Sequence, residues 1–140
     1  MQRVVGASVS VEGAVIGSFE GPGLVVLIGV THTDTPVQAE RLAAKIHGLR
    51  IFESAGGEVS VGDLGLPVLV ISQFTLYADT RKGRRPGWDA AAPSPIAEPL
   101  VNDVVEKLRE LGLTIKTGEF GAHMQVSLTN DGPMTVPLEV

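Results

Sequence analysis

The chain has 140 residues, enough for one domain with a buried core. Hydrophobic residues make up 44% and charged residues 19%, a balance that excludes a disordered chain. The absence of cysteine excludes disulfides and thiolate metal sites, and no apolar run approaches the roughly 20 residues that cross a bilayer. Met1 to Val5 lacks the long apolar segment of a signal peptide, so a cytoplasmic location without a membrane partner is expected. The net charge of −5 argues against a general nucleic-acid binder, and DNA is not an expected partner. Arg81, Lys82, Arg84 and Arg85 nevertheless crowd positive charge into one short stretch. Such a run reads either as a solvated loop or as a local phosphate contact.

Val4 to Val15, rich in Val and Ser, predicts a strand and hairpin. Gly21-Pro22-Gly23 predicts a turn, and the apolar run Leu24–Val30 a strand buried on both faces. Thr35-Pro36 predicts the N-cap and first position of a helix whose inner face carries Ala39, Leu42, Ile46 and Leu49. Ser54 to Gly65 reads as a loop or weak hairpin, and Pro67 to Leu76 as a second apolar strand. The polar stretch from Asp79 to Pro93 is long for a plain connection, which suits a functional loop. Ser94-Pro95 predicts a second helix start, with Ile96, Leu100, Val104, Leu108 and Leu111 inward and Gly112 as the stop. Thr114–Thr117 is a short strand. His123 to Thr129 alternates strictly, with Met124, Val126 and Leu128 on one face. Asn130-Asp131-Gly132-Pro133 predicts a turn and Met134–Val140 a last edge strand. The expected class is therefore α/β of the α+β type, a mixed sheet covered by two main helices.

Catalytic patterns are sparse. His32, His47 and His123 lie far apart, without metal-ligand spacing, and each reads most simply as structural; neither metal nor cofactor is expected. Thr75 is the best-placed side-chain nucleophile, at the end of a strand, but no base stands beside it. Ser72 and Gln73 offer a hydroxyl and an amide for hydrogen bonding.

Ser72-Gln73-Phe74-Thr75-Leu76 and Asn130-Asp131-Gly132-Pro133-Met134-Thr135 resemble the two signature motifs of D-aminoacyl-tRNA deacylases. Gln2-Arg3-Val4, Ala7-Ser8-Val9, Arg50-Ile51-Phe52, Arg85-Pro86 and Met124–Leu128 extend the resemblance along nearly all of the chain. It implies a single domain over residues 1–140 with a barrel-like sheet. It also implies a hydrolase of the ester in D-aminoacyl-tRNA, and in glycyl-tRNA mischarged on tRNA(Ala). The implied assembly is a homodimer in which a cis Gly132-Pro133 bond of one subunit enters the other's pocket and rejects L-residues. Arg3 and Asn130 would support that filter. Ser72, Gln73, Phe74 and Thr75 would line the ester pocket. Phe74, Met124, Gln125 and Val126 would hold the terminal adenosine, and Arg81, Lys82, Arg84 and Arg85 the acceptor-stem phosphates. For the chemistry, the resemblance favours the 2′-OH of the terminal ribose over Thr75. Three positions depart from the family pattern. Met1 directly precedes Gln2-Arg3, where relatives carry further strand residues, Met134 replaces a valine, and Gly6 replaces a larger residue. The rival reading is a small-molecule-binding or enamine-hydrolysing oligomer, which needs neither a crossing Gly-Pro loop nor tRNA.

Overall fold

In the computed structural model, which describes all of residues 1–140, the first hairpin is β1 (Gln2–Val11) and β2 (Ala14–Ile28). Later come β5 (Val68–Ser72), β6 (Ile115–Thr117) and β7 (Met124–Thr135). These five strands form one mixed sheet in the order β6-β5-β2-β1-β7. β5 runs parallel to β2 and β6, while β1 is antiparallel to β2 and β7. A separate hairpin joins β3 (Arg50–Ser54) to β4 (Gly57–Ser60), so the Gly-rich stretch is a true hairpin that starts earlier than expected.

β2 is the axis of the fold, and alternate residues on it serve different cores. Leu24, Val26 and Ile28 pack with Val68 and Val70 beneath two helices, α1 (Pro36–Gly48) and α3 (Ser94–Glu110). Val25 faces the other way and joins Leu69, Ile71, Val4, Ala7 and Val9, with Met124, Val126 and Leu128 packed against them. The second cluster forms because the sheet curls. Gly17 lies so close to β6 that a Cβ there would stand 2.8 Å from the Thr117 carbonyl oxygen. The expected class, helical cover and barrel-like curl are all present.

Thr35 caps α1 as expected: its hydroxyl accepts from Val37 N, and Gln38 reaches back in a capping box. Ala39, Ala43 and Ile46 make its buried face. Pro93, not Ser94, occupies the cap of α3, and no side chain bonds to that end. The buried face of α3 is also rotated from expectation. Ala97, Val101 and Val105 join Leu100, Val104 and Leu108 inside, whereas Ile96 and Leu111 remain exposed. A strict leucine-type stripe overlooks Ala97, which is buried on this face.

Three further expectations change. Gly21-Pro22-Gly23 is no turn but part of β2, at a bulge where Glu20 and Gly21 stand opposite Gly6. Proline fits there because the ladder is interrupted and needs no N–H from it. Gly6 itself has φ +90, a backbone state that a larger residue rarely adopts. The strand after Pro67 ends at Ser72, and Phe74–Tyr77 forms a 3-10 helix. Finally, Asn130–Pro133 does not join two strands: β7 runs on to Thr135, and residues 136–140 are not a strand. Asn130 pairs with Val4 and Thr135 with Gln2, so residues 131–134 bulge out opposite Arg3. Val136 and Met1 then exchange backbone hydrogen bonds, which extends the pairing just beyond the bulge.

Candidate active site

Leaving the sheet, the chain turns sharply after Ser72. Gln73 N–H donates to the Ile28 carbonyl at 2.7 Å, which pins the end of β5 to β2. The 3-10 helix begins at the next residue, so the amides of Phe74 and Thr75 are first-turn donors without an acceptor inside their own helix. The Gln73 side-chain amide donates to the Thr75 hydroxyl in a short hydrogen bond.

Ser72, Gln73 and Phe74 open onto a cavity of about 490 Å³. Met124 and Val126 of β7 supply the opposite wall, and Ala92, Ser94 and Ala97 at the start of α3 help to line it. The curl of the sheet is what brings β5 and β7 together here. The first signature segment and the Met124–Val126 segment therefore meet in space. Gln125 does not join them, since neighbours on a strand point to opposite faces; its side chain is exposed and its strand partner is Ser10. Thr75 lies beside Gln73 and is not part of the cavity wall.

The wall residues outside the expected set include Trp88, Phe120 and His123. Phe74 and Trp88 touch edge to face, with ring centroids 5.3 Å apart at 72°. With Phe120 they bring half of the chain's six aromatic residues to one cavity. That convergence has no local sequence signal, because the three sit on separate segments. His123 is the only ionisable side chain in the wall. No cluster of three or more His, Asp or Glu is arranged to hold a metal ion. What the wall offers is apolar surface, the Ser72 and Ser94 hydroxyls, the Gln73 amide and the His123 imidazole.

Gly132 and Pro133 do not line this cavity. Their peptide bond is cis, and both residues are exposed on the bulge of β7. The bulge is fastened from below. Arg3 is 9% exposed and donates from Nη1 to the Ile51 carbonyl at 2.5 Å. Its Nε lies 2.9 Å from Asp131 Oδ2, but the N–H is not aimed at that oxygen, so the contact is ionic and not a hydrogen bond. Asn130 is exposed and contributes no side-chain bond to the bulge.

The cationic loop is less uniform than its sequence. Asp79 and Gly87 exchange backbone hydrogen bonds at 2.8 Å each way, closing the segment between them. Arg81 folds back onto Asp79 through Nε (2.9 Å) and Nη2 (2.8 Å). Those side-chain bonds, with a further one from the Arg81 backbone N–H, hold the Asp79 carboxyl below the usual carboxylate range, and Asp79 raises Arg81 in turn. Arg81 is therefore paired with Asp79, while Lys82, Arg84 and Arg85 are exposed without a carboxylate partner.

A profile of the family described as D-Tyr-tRNA(Tyr) deacylase matches residues 1–139. A D-aminoacyl-tRNA deacylase of Thermobifida fusca (strain YX) is 60% identical over 140 residues, covering 100% of this chain and 97% of the relative. One of Streptomyces coelicolor is 59% identical with the same coverage of both. A solved structure described as c-Myc DNA Unwinding Element Binding Protein superposes with a TM-score of 0.90 at 42% identity, over 99% of this chain and 95% of the other. A probable eukaryotic D-amino acid tRNA deacylase gives a TM-score of 0.81 over 94% and 92% of the two chains; at 14% identity that likeness shows the fold alone.

Proposed function

The chain belongs to the D-Tyr-tRNA(Tyr) deacylase family, and from that premise we propose that its cavity hydrolyses the ester of D-aminoacyl-tRNA. The observation that carries the reading is the meeting of Ser72–Phe74 with Met124 and Val126 around one cavity. A wall with no Asp, Glu, Lys or Arg suits an ester that is positioned and polarised, not one attacked by an acid–base pair.

Water adds to the ester carbonyl carbon, and the negative charge that develops on the carbonyl oxygen falls to the Phe74 and Thr75 amides. Collapse of the adduct breaks the bond to the ribose oxygen, which leaves with a proton. The products are the free D-amino acid and tRNA. The neighbouring 2′-OH of the terminal ribose assists the attack. Thr75 is no nucleophile in this scheme, because its hydroxyl already receives the Gln73 amide and has no base to take its proton.

Chirality is read by backbone. The protein acts as a homodimer in which Gly132 and Pro133 of one subunit present their carbonyls to the partner's cavity. A D-residue turns its amino group to those acceptors, an L-residue collides with them, and glycine passes. That screen extends the activity to glycyl-tRNA(Ala). The exposed bulge, fixed by Arg3 through Asp131, supports this role. Phe74 and Met124 hold the terminal adenosine, and the protein works in the cytoplasm. The test is incubation with D-tyrosyl- and L-tyrosyl-tRNA while ester loss is followed. Selective loss of the D form is expected; equal loss of both, or none, would refute the reading.

A further inference from the structure

We propose that Trp88 is a nucleobase-stacking residue. With Phe74 it forms a platform for a base of the single-stranded 3′ end of the RNA, while Lys82, Arg84 and Arg85 meet the phosphates behind it. The inference rests on the deacylase reading and adds to it a specificity residue outside both signature motifs.

Trp88 is the only tryptophan in the chain, yet it is 40% exposed, and its aromatic neighbour Phe74 is 53% exposed. Two large rings held together at the surface are poorly used as core. Their edge-to-face contact covers a single ring face, so the corner keeps open faces for a flat ligand.

The backbone around Trp88 is fixed on both sides. Gly87, just before it, exchanges hydrogen bonds with Asp79. Asp89, just after it, accepts from His32 Nε2 at 2.9 Å. Next, Ala90 accepts from the Thr31 hydroxyl at 2.8 Å, and Ala92 N–H donates to the Val30 carbonyl. The backbone that carries the ring is thus fixed before any ligand arrives, and the ring itself rests against Phe74, which lowers the ordering cost of binding.

Charge identifies the ligand. The same closed loop carries Lys82, Arg84 and Arg85 free of carboxylates, whereas Arg81 is tied to Asp79. An aromatic corner whose tryptophan directly follows a loop of free cations suits a chain of bases and phosphates, where base stacking is sequence-tolerant and the cations follow the backbone. A free amino acid or a neutral small molecule would leave the cations without a role.

Because no other tryptophan is present, emission from the full-length protein reports this site alone. We would titrate it with the trinucleotide CpCpA and with an abasic trinucleotide of equal charge. CpCpA is expected to quench the emission saturably, and less so at higher salt; the abasic chain is expected not to quench. In deacylation of D-tyrosyl-tRNA, Trp88→Ala should raise KM roughly tenfold, the size of one base stack, at unchanged kcat. Trp88→Phe should recover most of that loss. Absence of quenching by CpCpA, or an unaltered KM for Trp88→Ala, overturns the proposal. So does emission that is already blue-shifted and indifferent to CpCpA, which would mean that a second copy of the chain covers the ring. Quenching by CpCpA in a wild-type protein that spares D-tyrosyl-tRNA would support the platform and overturn the deacylase reading, so the two failures are distinguishable.

Discussion

Thr75 and Gln73 share one hydrogen bond, and its direction matters for the chemistry. An amide N–H on the hydroxyl oxygen engages a lone pair that a nucleophile would use. Thr75→Ala therefore loses one hydrogen bond, about 0.5–1.5 kcal/mol. In single-turnover assays on D-tyrosyl-tRNA its rate should fall by less than about tenfold; near-complete loss in a folded variant would make Thr75 the nucleophile after all. Arg3 is the opposite case, a residue with two tasks and little tolerance. Its guanidinium reaches the Ile51 carbonyl with one nitrogen and Asp131 with another. A lysine has a single ammonium and cannot span both. Arg3→Lys should lower stability by about 1–3 kcal/mol in urea unfolding and let the bulge drift, so that hydrolysis of L-tyrosyl-tRNA rises relative to D. An unchanged D/L ratio would separate Arg3 from the filter. The sequence named Arg3 only through its resemblance to the family. Asp131 went unnoticed as its partner because the two lie near opposite ends of the chain, and charge pairing at that separation leaves no local trace.

Elements were legible where their signals are local. The Thr35-Pro36 start and the alternation from Met124 to Thr129 depend on neighbours in sequence and stand as read, while the run read as Leu24–Val30 is a strand only to Ile28 and leaves Leu27 exposed. Two of the failures share another cause: bulges look like turns. Gly21-Pro22 and Gly132-Pro133 both sit inside long strands, since a proline that ends a ladder and a proline at an interruption of one carry the same letters. The curl of the sheet, which makes the cavity, leaves no local trace either and was expected only from the resemblance to the family. It can be tested at Gly17, where an added methyl would meet the Thr117 oxygen at 2.8 Å and Val9 Cγ1 at 3.4 Å. Gly17→Ala should destabilise the fold by about 1–3 kcal/mol in urea unfolding, and a neutral result would mean that the two strands can part without loss. The short helix α2 (Val61–Leu64) gives a pH test. The Asp63 carboxyl is held low chiefly by the Ser60 backbone N–H, then by the Ser60 hydroxyl. A depressed carboxylate contributes its full stability above its unfolded value of about 3.9 and loses it as pH falls towards the folded one. Thermal melts across acid pH should show a shallower decline for Asp63→Asn than for wild type; parallel declines would remove the cap from the acid response. On the cationic loop, replacing Lys82, Arg84 and Arg85 with Gln should flatten the salt dependence of tRNA binding by a log–log slope of about 2. Arg81→Gln should change it by less than one third of that, the share of a single free cation, because Arg81 is already paired with Asp79. Equal effects would make that pair irrelevant in solution.

At the scale of the whole molecule, the two signature segments face a geometric problem. Ser72–Phe74 line a cavity, while Gly132 and Pro133 stand exposed on β7, at the edge of the sheet, and form no part of that cavity's wall. If both serve one reaction, a second copy must bring them together, and a two-fold axis would do so twice, each bulge entering the partner's cavity. Mixed dimers can decide this. Gly132 is a suitable place to block the bulge: a Cβ there has only Asn130 Nδ2 nearby, at 3.6 Å, so Gly132→Phe should fold and yet obstruct whichever cavity the bulge enters. A Gln73→Ala, Phe74→Ala double variant disables the cavity and leaves the bulge intact. Each homodimer should be inactive on D-tyrosyl-tRNA. Mixed and allowed to exchange subunits, equal amounts should regain roughly a quarter of wild-type activity. Half of the dimers are then hybrids, and each hybrid has one site built from an intact cavity and the partner's intact bulge. If the bulge instead folded over its own cavity, every subunit would carry a damaged site and mixing would restore nothing, which would dismiss the crossing filter without touching the deacylase assignment.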